Sequence, residues 1–221
     1  MHIYRNKLLL ASIIIVVLVA FFILERNMYT SSITGNAVTN TRVQLMPVRP
    51  TNCTLHLYPG WNLVSFFCLG LFVDRDTALQ SIDGEYSYIF AYSPTDAVDP
   101  WKSYNPNLPN WTVQQLNFMD RISGYWIYVS NDTDYLYSGV NSSSNVPLYT
   151  GWNLVGYPGK IDRLVNDSLA CISFNIVKTY ITPSDTWLIY INGGSNNSLI
   201  LLQQNKGYWI NSSSSQTWVI S

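Results

Sequence analysis

Leu57-Tyr58-Pro59-Gly60-Trp61-Asn62-Leu63-Val64-Ser65 is written a second time as Leu148-Tyr149-Thr150-Gly151-Trp152-Asn153-Leu154-Val155-Gly156. A second phrase closes each copy, Gly124-Tyr125-Trp126-Ile127 in the first and Gly207-Tyr208-Trp209-Ile210 in the second. Two phrases recurring in the same order mark a fold made by stacking a unit. The segments between them match as well. Residues 61–66, 86–92, 101–104, 125–129 and 134–137 read as strands, with Pro94 and Pro106 as punctuation. Residues 76–82 are helix-like, with Asp76 as the expected N-cap. In the second copy Leu169 and Ile172 stand where Leu79 and Ile82 stand, and strands are expected at 176–182, 187–190, 208–210 and 217–220.

The expected fold is therefore mainly β: two tandem small antiparallel β modules, sandwich- or barrel-like, each with one short helix. The first spans 55–139 and the second 146–221, with a Ser-rich joint at 139–145. The second copy is shorter between its two phrases, and the loss falls in the middle loops, where deletions are absorbed.

The amino terminus predicts where these modules sit. Residues 8–24 carry no charge and are apolar apart from Ser12, with Arg5 and Lys7 before them and Glu25-Arg26 after. This reads as a single transmembrane signal-anchor helix over 8–26, with 1–7 cytoplasmic because the cations precede the run. Leu18-Val19-Ala20 is a poor small-residue cleavage site, which favours an anchor over a removed signal peptide. Residues 27–54, with Thr30-Ser31-Ser32 and then Pro47 and Pro50, read as a linker holding the modules clear of the lipid. Asn-x-Ser/Thr sequons at Asn52, Asn110, Asn131, Asn141, Asn166, Asn196 and Asn211 all fall on the expected outside and are candidate glycosylation sites.

Only 11% of the residues are charged and the net charge is −1, which leaves no electrostatic footprint for nucleic acid. Aromatic residues make up 14%, and all eight Trp lie beyond residue 60. Few charges with many aromatics and many Asn, Ser and Thr suit an extracellular β protein. Cys53 and Cys68 bracket the first opening strand, so a disulfide within the first copy is one expectation. Cys171 is then left over, and no Cys-x-x-Cys spacing suggests a metal or redox site.

The two phrases resemble a family of tandem modules in secreted and membrane-anchored surface proteins of archaea and some bacteria. Those modules open with Gly-Trp-Asn-Leu-(Val/Ile)-Ser, carry a short helix and close with Gly-Tyr-Trp-Ile. The resemblance covers about residues 55–221 and departs at Gly156, where the serine is missing, and in the shortened middle of the second copy. It implies a surface β module used as a building block, with no common enzymatic activity. Residues 32–38, Ser-Ile-Thr-Gly-Asn-Ala-Val, also look like small archaeal anchored proteins.

Catalytic chemistry has little to work with. Beyond Arg26 the chain holds one histidine, His56, and one glutamate, Glu85. His56 lacks a nucleophile-elbow motif and reads as an edge residue. Asp74, Asp76, Asp83 and Glu85 cluster in the first copy without a counterpart in the second, and read as turn and capping residues rather than a glycosidase pair. Asp74-x-Asp76 and Asp132-x-Asp134 are soft calcium candidates without the Gly-containing loop that would complete them. No enzyme, cofactor or metal is expected.

The aromatics carry the binding question, because sugar rings stack on exposed Trp and Tyr faces. Trp61 matches Trp152, Trp126 matches Trp209, and Trp101 matches Trp187. Their repetition predicts packing residues that hold each unit together. Trp111, in a Pro- and Asn-rich loop, has no counterpart and is the candidate ligand contact, with Tyr92 and Tyr104 near it in sequence. The expected function is a membrane-anchored extracellular structural or adhesive element of the cell envelope, non-catalytic, with envelope glycans or surface proteins as partners. A carbohydrate-binding surface protein is the alternative, and a hydrolytic enzyme stands further behind.

Overall fold

Each copy of the repeat folds into eight strands nested inside one another. In the first copy these are β1 (Thr51–Leu57), β2 (Gly60–Val64), β3 (Val73–Asp74), β4 (Tyr86–Tyr92), β5 (Trp101–Tyr104), β6 (Phe118–Met119), β7 (Tyr125–Val129) and β8 (Thr133–Gly139). The outermost pair is β1 with β8, then β2 with β7, β3 with β6, and innermost β4 with β5, all antiparallel. Strand β4 also pairs with β7, which closes a four-stranded sheet in the order β2-β7-β4-β5. The second copy repeats the plan with β9 (Val146–Leu148), β10 (Gly151–Gly156), β11 (Arg163–Leu164), β12 (Phe174–Ile181), β13 (Thr186–Ile191), β14 (Leu201–Leu202), β15 (Gly207–Ser212) and β16 (Gln216–Trp218). Its sheet is β10-β15-β12-β13, flanked by the β9–β16 and β11–β14 pairs. Both copies even shift register at the same place, after Tyr86 in one and after Phe174 in the other.

The computed structural model describes residues 51–109, 111–139 and 144–220, which belong to one compact unit. The expected tail, anchor and most of the linker lie outside the described residues, as do Asn110 and Asn141. Among the described residues no helix is long and apolar enough to cross a membrane. The first module begins earlier than its opening phrase suggested. Strand β1 starts at Thr51, inside the stretch read as linker, because β8 needs an edge partner along its whole length.

Two helices differ in detail from expectation. Helix α1 is Arg75–Leu79, continued by a 3-10 turn over Gln80–Ile82. Asp74, not Asp76, caps it, its carboxylate accepting from the backbone N–H groups of Asp76 (3.0 Å) and Thr77 (3.1 Å). In the second copy, where the short helix is expected at 168–172, α2 is Val165–Ser168, starting three residues earlier, and no side chain caps it.

Each module has its own hydrophobic core. In the first, Leu55 and Leu57 of β1 and Tyr135 and Tyr137 of β8 pack with Ile82 and Leu79 against Ile89, Tyr125, Ile127 and Val129 of the sheet. In the second, Val146, Leu148, Leu169 and Trp218 close over Val177, Tyr208 and Ile210. Thus a two-stranded ribbon and a short helix cover one face of each four-stranded sheet, and the other face is left for something else. Cys53 and Cys68 are joined by a disulfide inside the first core, and Cys171 is a free thiol at the surface.

The repeated phrases now have physical reasons. Gly60 and Gly151 sit at φ +101° and +94°, a left-handed region that a side chain would strain. Asn62 and Asn153, both buried, close the turn before them. Each donates to the carbonyls two and four residues back, at 2.7–3.0 Å, and accepts from the N–H of Tyr58 or Tyr149. Tyr125 and Tyr208 are buried, and their hydroxyl oxygens accept from the N–H of Asp120 (2.9 Å) and Gln203 (2.7 Å). Burial pushes both phenols up from their ordinary pKa.

Candidate functional site

The uncovered faces of the two sheets meet each other. In a strand alternate side chains share a face, so β4 puts Tyr88, Phe90 and Tyr92 on the side away from its core, and β7 puts Trp126 and Tyr128 there. Trp61 and Leu63 of β2 and Trp101 of β5 join them. The second sheet contributes Trp152 and Leu154, Trp209, Lys178 and Tyr180, and Trp187 and Ile189.

The contacts across the seam are reciprocal. Trp126 packs on Tyr180 and Trp187 of the second module (5.4 and 5.9 Å between ring centres). Trp209 packs on Tyr92 and Trp101 of the first (5.1 and 5.8 Å). The backbone follows suit: Ser65 N–H donates to the Asn205 carbonyl at 3.1 Å, and Gly156 N–H to that of Ile122 at 2.8 Å. This is the pattern of an isologous dimer folded into one chain, where each surface is used once by each partner. The closing glycines belong to it. A Cβ on Gly124 would stand 2.8 Å from Leu154, and one on Gly207 2.9 Å from Leu63. So does the missing serine: a Cβ on Gly156 would meet that of Ser65 at 2.8 Å, so only one copy can carry a side chain there.

The six repeated Trp are therefore not core residues of their own modules, as their repetition suggested. Trp126, Trp209, Trp101 and Trp187 recur because each packs on the opposite copy, while Trp61 and Trp152 pack on the outer face of their own sheets. The Trp that is fully buried is Trp218, stacked on Tyr157 at 5.9 Å and donating its indole N–H to the Ser168 carbonyl at 2.8 Å.

Along one side of the seam the faces part. Trp61, Phe90, Trp101, Trp126 and Tyr180 line an open hollow of about 700 Å³. Trp61 and Trp101 remain 38% and 41% exposed, so their rings are reachable from solvent. Phe90 forms the floor, 5.7 Å from Trp61 and 6.2 Å from Trp101. At the rim the Tyr180 hydroxyl donates to the Asp185 carboxylate, and this pairing raises the phenol pKa. On the opposite side of the seam Lys178 holds the position of Phe90, opposite Trp209 as Phe90 is opposite Trp126. Its ammonium lies 4.8 Å from the ring centres of both Trp152 and Trp187.

The residues singled out by sequence do not form one group. Tyr92 stands on the seam against Trp101 and Trp209. Tyr104 is on the inner face of the same sheet, beneath the Arg75 guanidinium at 3.4 Å. Trp111 is 83% exposed in its loop, and among the described residues no ring packs on it. Phe90, Tyr180 and Lys178 were not singled out. The signal for Phe90 is present in Tyr86-Ser87-Tyr88-Ile89-Phe90-Ala91-Tyr92, where aromatic and apolar residues at both parities mean a strand covered on both faces.

The acidic residues have structural partners. Asp76 pairs with Arg75, and Asp132 and Asp134 both face His56 across the β1–β8 ribbon (3.3 and 2.7 Å). Asp120 is half-buried at the seam, its carboxylate accepting from the N–H groups of Ile122 (2.9 Å) and Ser123 (2.7 Å). Burial nonetheless raises its pKa. Among the described residues no three metal-ligating side chains gather. The described sequons Asn52, Asn131, Asn166 and Asn196 are exposed, while Asn211 is half-buried beside Trp152 on the seam face. No family model, curated protein or solved structure matches the chain.

Proposed function

We infer that the protein is a membrane-anchored, non-catalytic adhesive element of the cell envelope. Residues 1–7 stay in the cytoplasm, 8–26 cross the membrane, and the paired sandwich-like modules stand outside. The reading is supported above all by the hollow lined by Trp61, Phe90, Trp101, Trp126 and Tyr180, an accessible aromatic surface held in shape by two docked modules. Such a site is organised before any partner arrives, which lowers the cost of binding. A carbohydrate-binding role is the second reading, because the open ring faces of Trp61 and Trp101 are the kind on which pyranoses stack.

The test is adhesion. Full-length chain in phosphatidylglycerol vesicles is expected to make them adhere to envelope preparations, and Trp101→Ala to abolish most of that adhesion. Adhesion that survives Trp101→Ala and Trp61→Ala together would remove the cleft from the function. A glycan panel probed with the same vesicles separates the sugar reading.

A further inference from the structure

We propose that the aromatic cleft is a cage for a quaternary ammonium group of the choline type, borne by an envelope component. The inference names the ligand of the adhesive surface and so rests on that reading.

The molecule's own second copy already holds a cation at the equivalent place. There the space between Trp152 and Trp187 receives the Lys178 ammonium, 4.8 Å from each ring. Trp61 and Trp101 are the matching rings in the first copy, and Phe90 replaces the lysine. Phenylalanine is shorter and uncharged. It floors the space and leaves open the place where the cation would sit. One copy therefore supplies its own ammonium, and the other presents the same paired indoles to solvent, walled by Trp126 and Tyr180 as the second space is by Trp209 and Tyr92.

A pyranose brings hydroxyls, and a primary ammonium brings N–H groups, that lose free energy when desolvated without partners. All five lining residues are aromatic, and the one hydroxyl among them, on Tyr180, is already donated to Asp185. A quaternary ammonium has no N–H to satisfy and is attracted to ring faces by their quadrupole. The Asp185 carboxylate adds negative charge beside Tyr180 and makes its ring more electron-rich.

The test is calorimetry on the full-length chain in an uncharged polyoxyethylene detergent, with choline chloride and its uncharged tert-butyl isostere as probes. Choline is expected to bind at one site, at least about tenfold more tightly than the isostere. Phe90→Lys, which copies the second module's arrangement, should abolish binding while near-ultraviolet circular dichroism stays native. Lys178→Phe should open the second space and raise the stoichiometry from one to two. Equal binding of both probes, no binding of choline, or binding untouched by Phe90→Lys would each overturn the proposal. Adhesion that depends on Trp101 without choline binding would overturn the ammonium and leave the adhesive reading standing. Choline binding without adhesion would do the reverse.

Discussion

The two modules share one pairing scheme and differ where each must be held shut. In the first, the Cys53–Cys68 bridge ties β1 to the segment after β2, and Tyr135 donates its hydroxyl to the Ala78 carbonyl. In the second there is no bridge, and Trp218 stands in the position of Tyr135, donating to the equivalent carbonyl of Ser168. One copy relies on a covalent tie and a tyrosine, the other on the largest side chain available. The same hydrogen bond is kept with different chemistry, so the fold constrains the bond and the volume more than the residue. The seam shows the opposite: there the copies differ at Ser65 and Gly156 because two identical side chains cannot occupy one place on the pseudo-twofold.

Each of these contrasts can be broken. The largest effect is expected from Trp218→Ala, which empties the second core and leaves a carbonyl unpaired; a loss of about 4 kcal/mol is expected in chemical denaturation. Cys53→Ala with Cys68→Ala should cost about 3 kcal/mol, since the bridge closes a loop of roughly fifteen residues. Reduction should act in the same direction and lower the first module's transition before the second's. Gly156→Ser, which copies Ser65 of the first module, forces a Cβ to within 2.6 Å of the Arg121 carbonyl oxygen. Overpacking of that kind costs about 2 kcal/mol, and loss of cooperativity between the modules would show in the unfolding curve.

The smallest effect is a pH dependence. Hydrogen bonding to Asp134, with Asp132 adding to it against slight desolvation, raises the His56 pKa. A raised histidine contributes stability below its unfolded pKa, near 6.5, and loses it as pH rises through the higher folded value. Stability should therefore fall slightly from pH 6 upward, and His56→Gln should flatten that slope in thermal melts. A slope unchanged in His56→Gln would assign the dependence to another group.

Much of the architecture was legible in the phrases themselves. Gly60, Asn62, Tyr125 and Ile127 act within their own module, so repetition correctly marked them as parts of a unit. Trp101 and Trp126 do not fill their own module's core, because a residue that serves the opposite copy recurs for as good a reason as one that serves its own. Short pairs such as β3 with β6 and β11 with β14 were missed as well. Two residues are too few to show a period, and long-range pairing alone makes them strands.

Sequence by itself determined that there are two β modules, where their turns fall, and which glycines and asparagines make those turns, because these are local consequences of φ and of short-range hydrogen bonds. Only the tertiary structure decided that the modules dock through their uncovered faces, that Trp218 rather than the repeated Trp fills a core, and that Phe90 and Lys178 hold equivalent places with opposite outcomes. Those facts depend on which face of a strand meets which other strand far along the chain. Period-two alternation names two faces; it does not say what covers either of them.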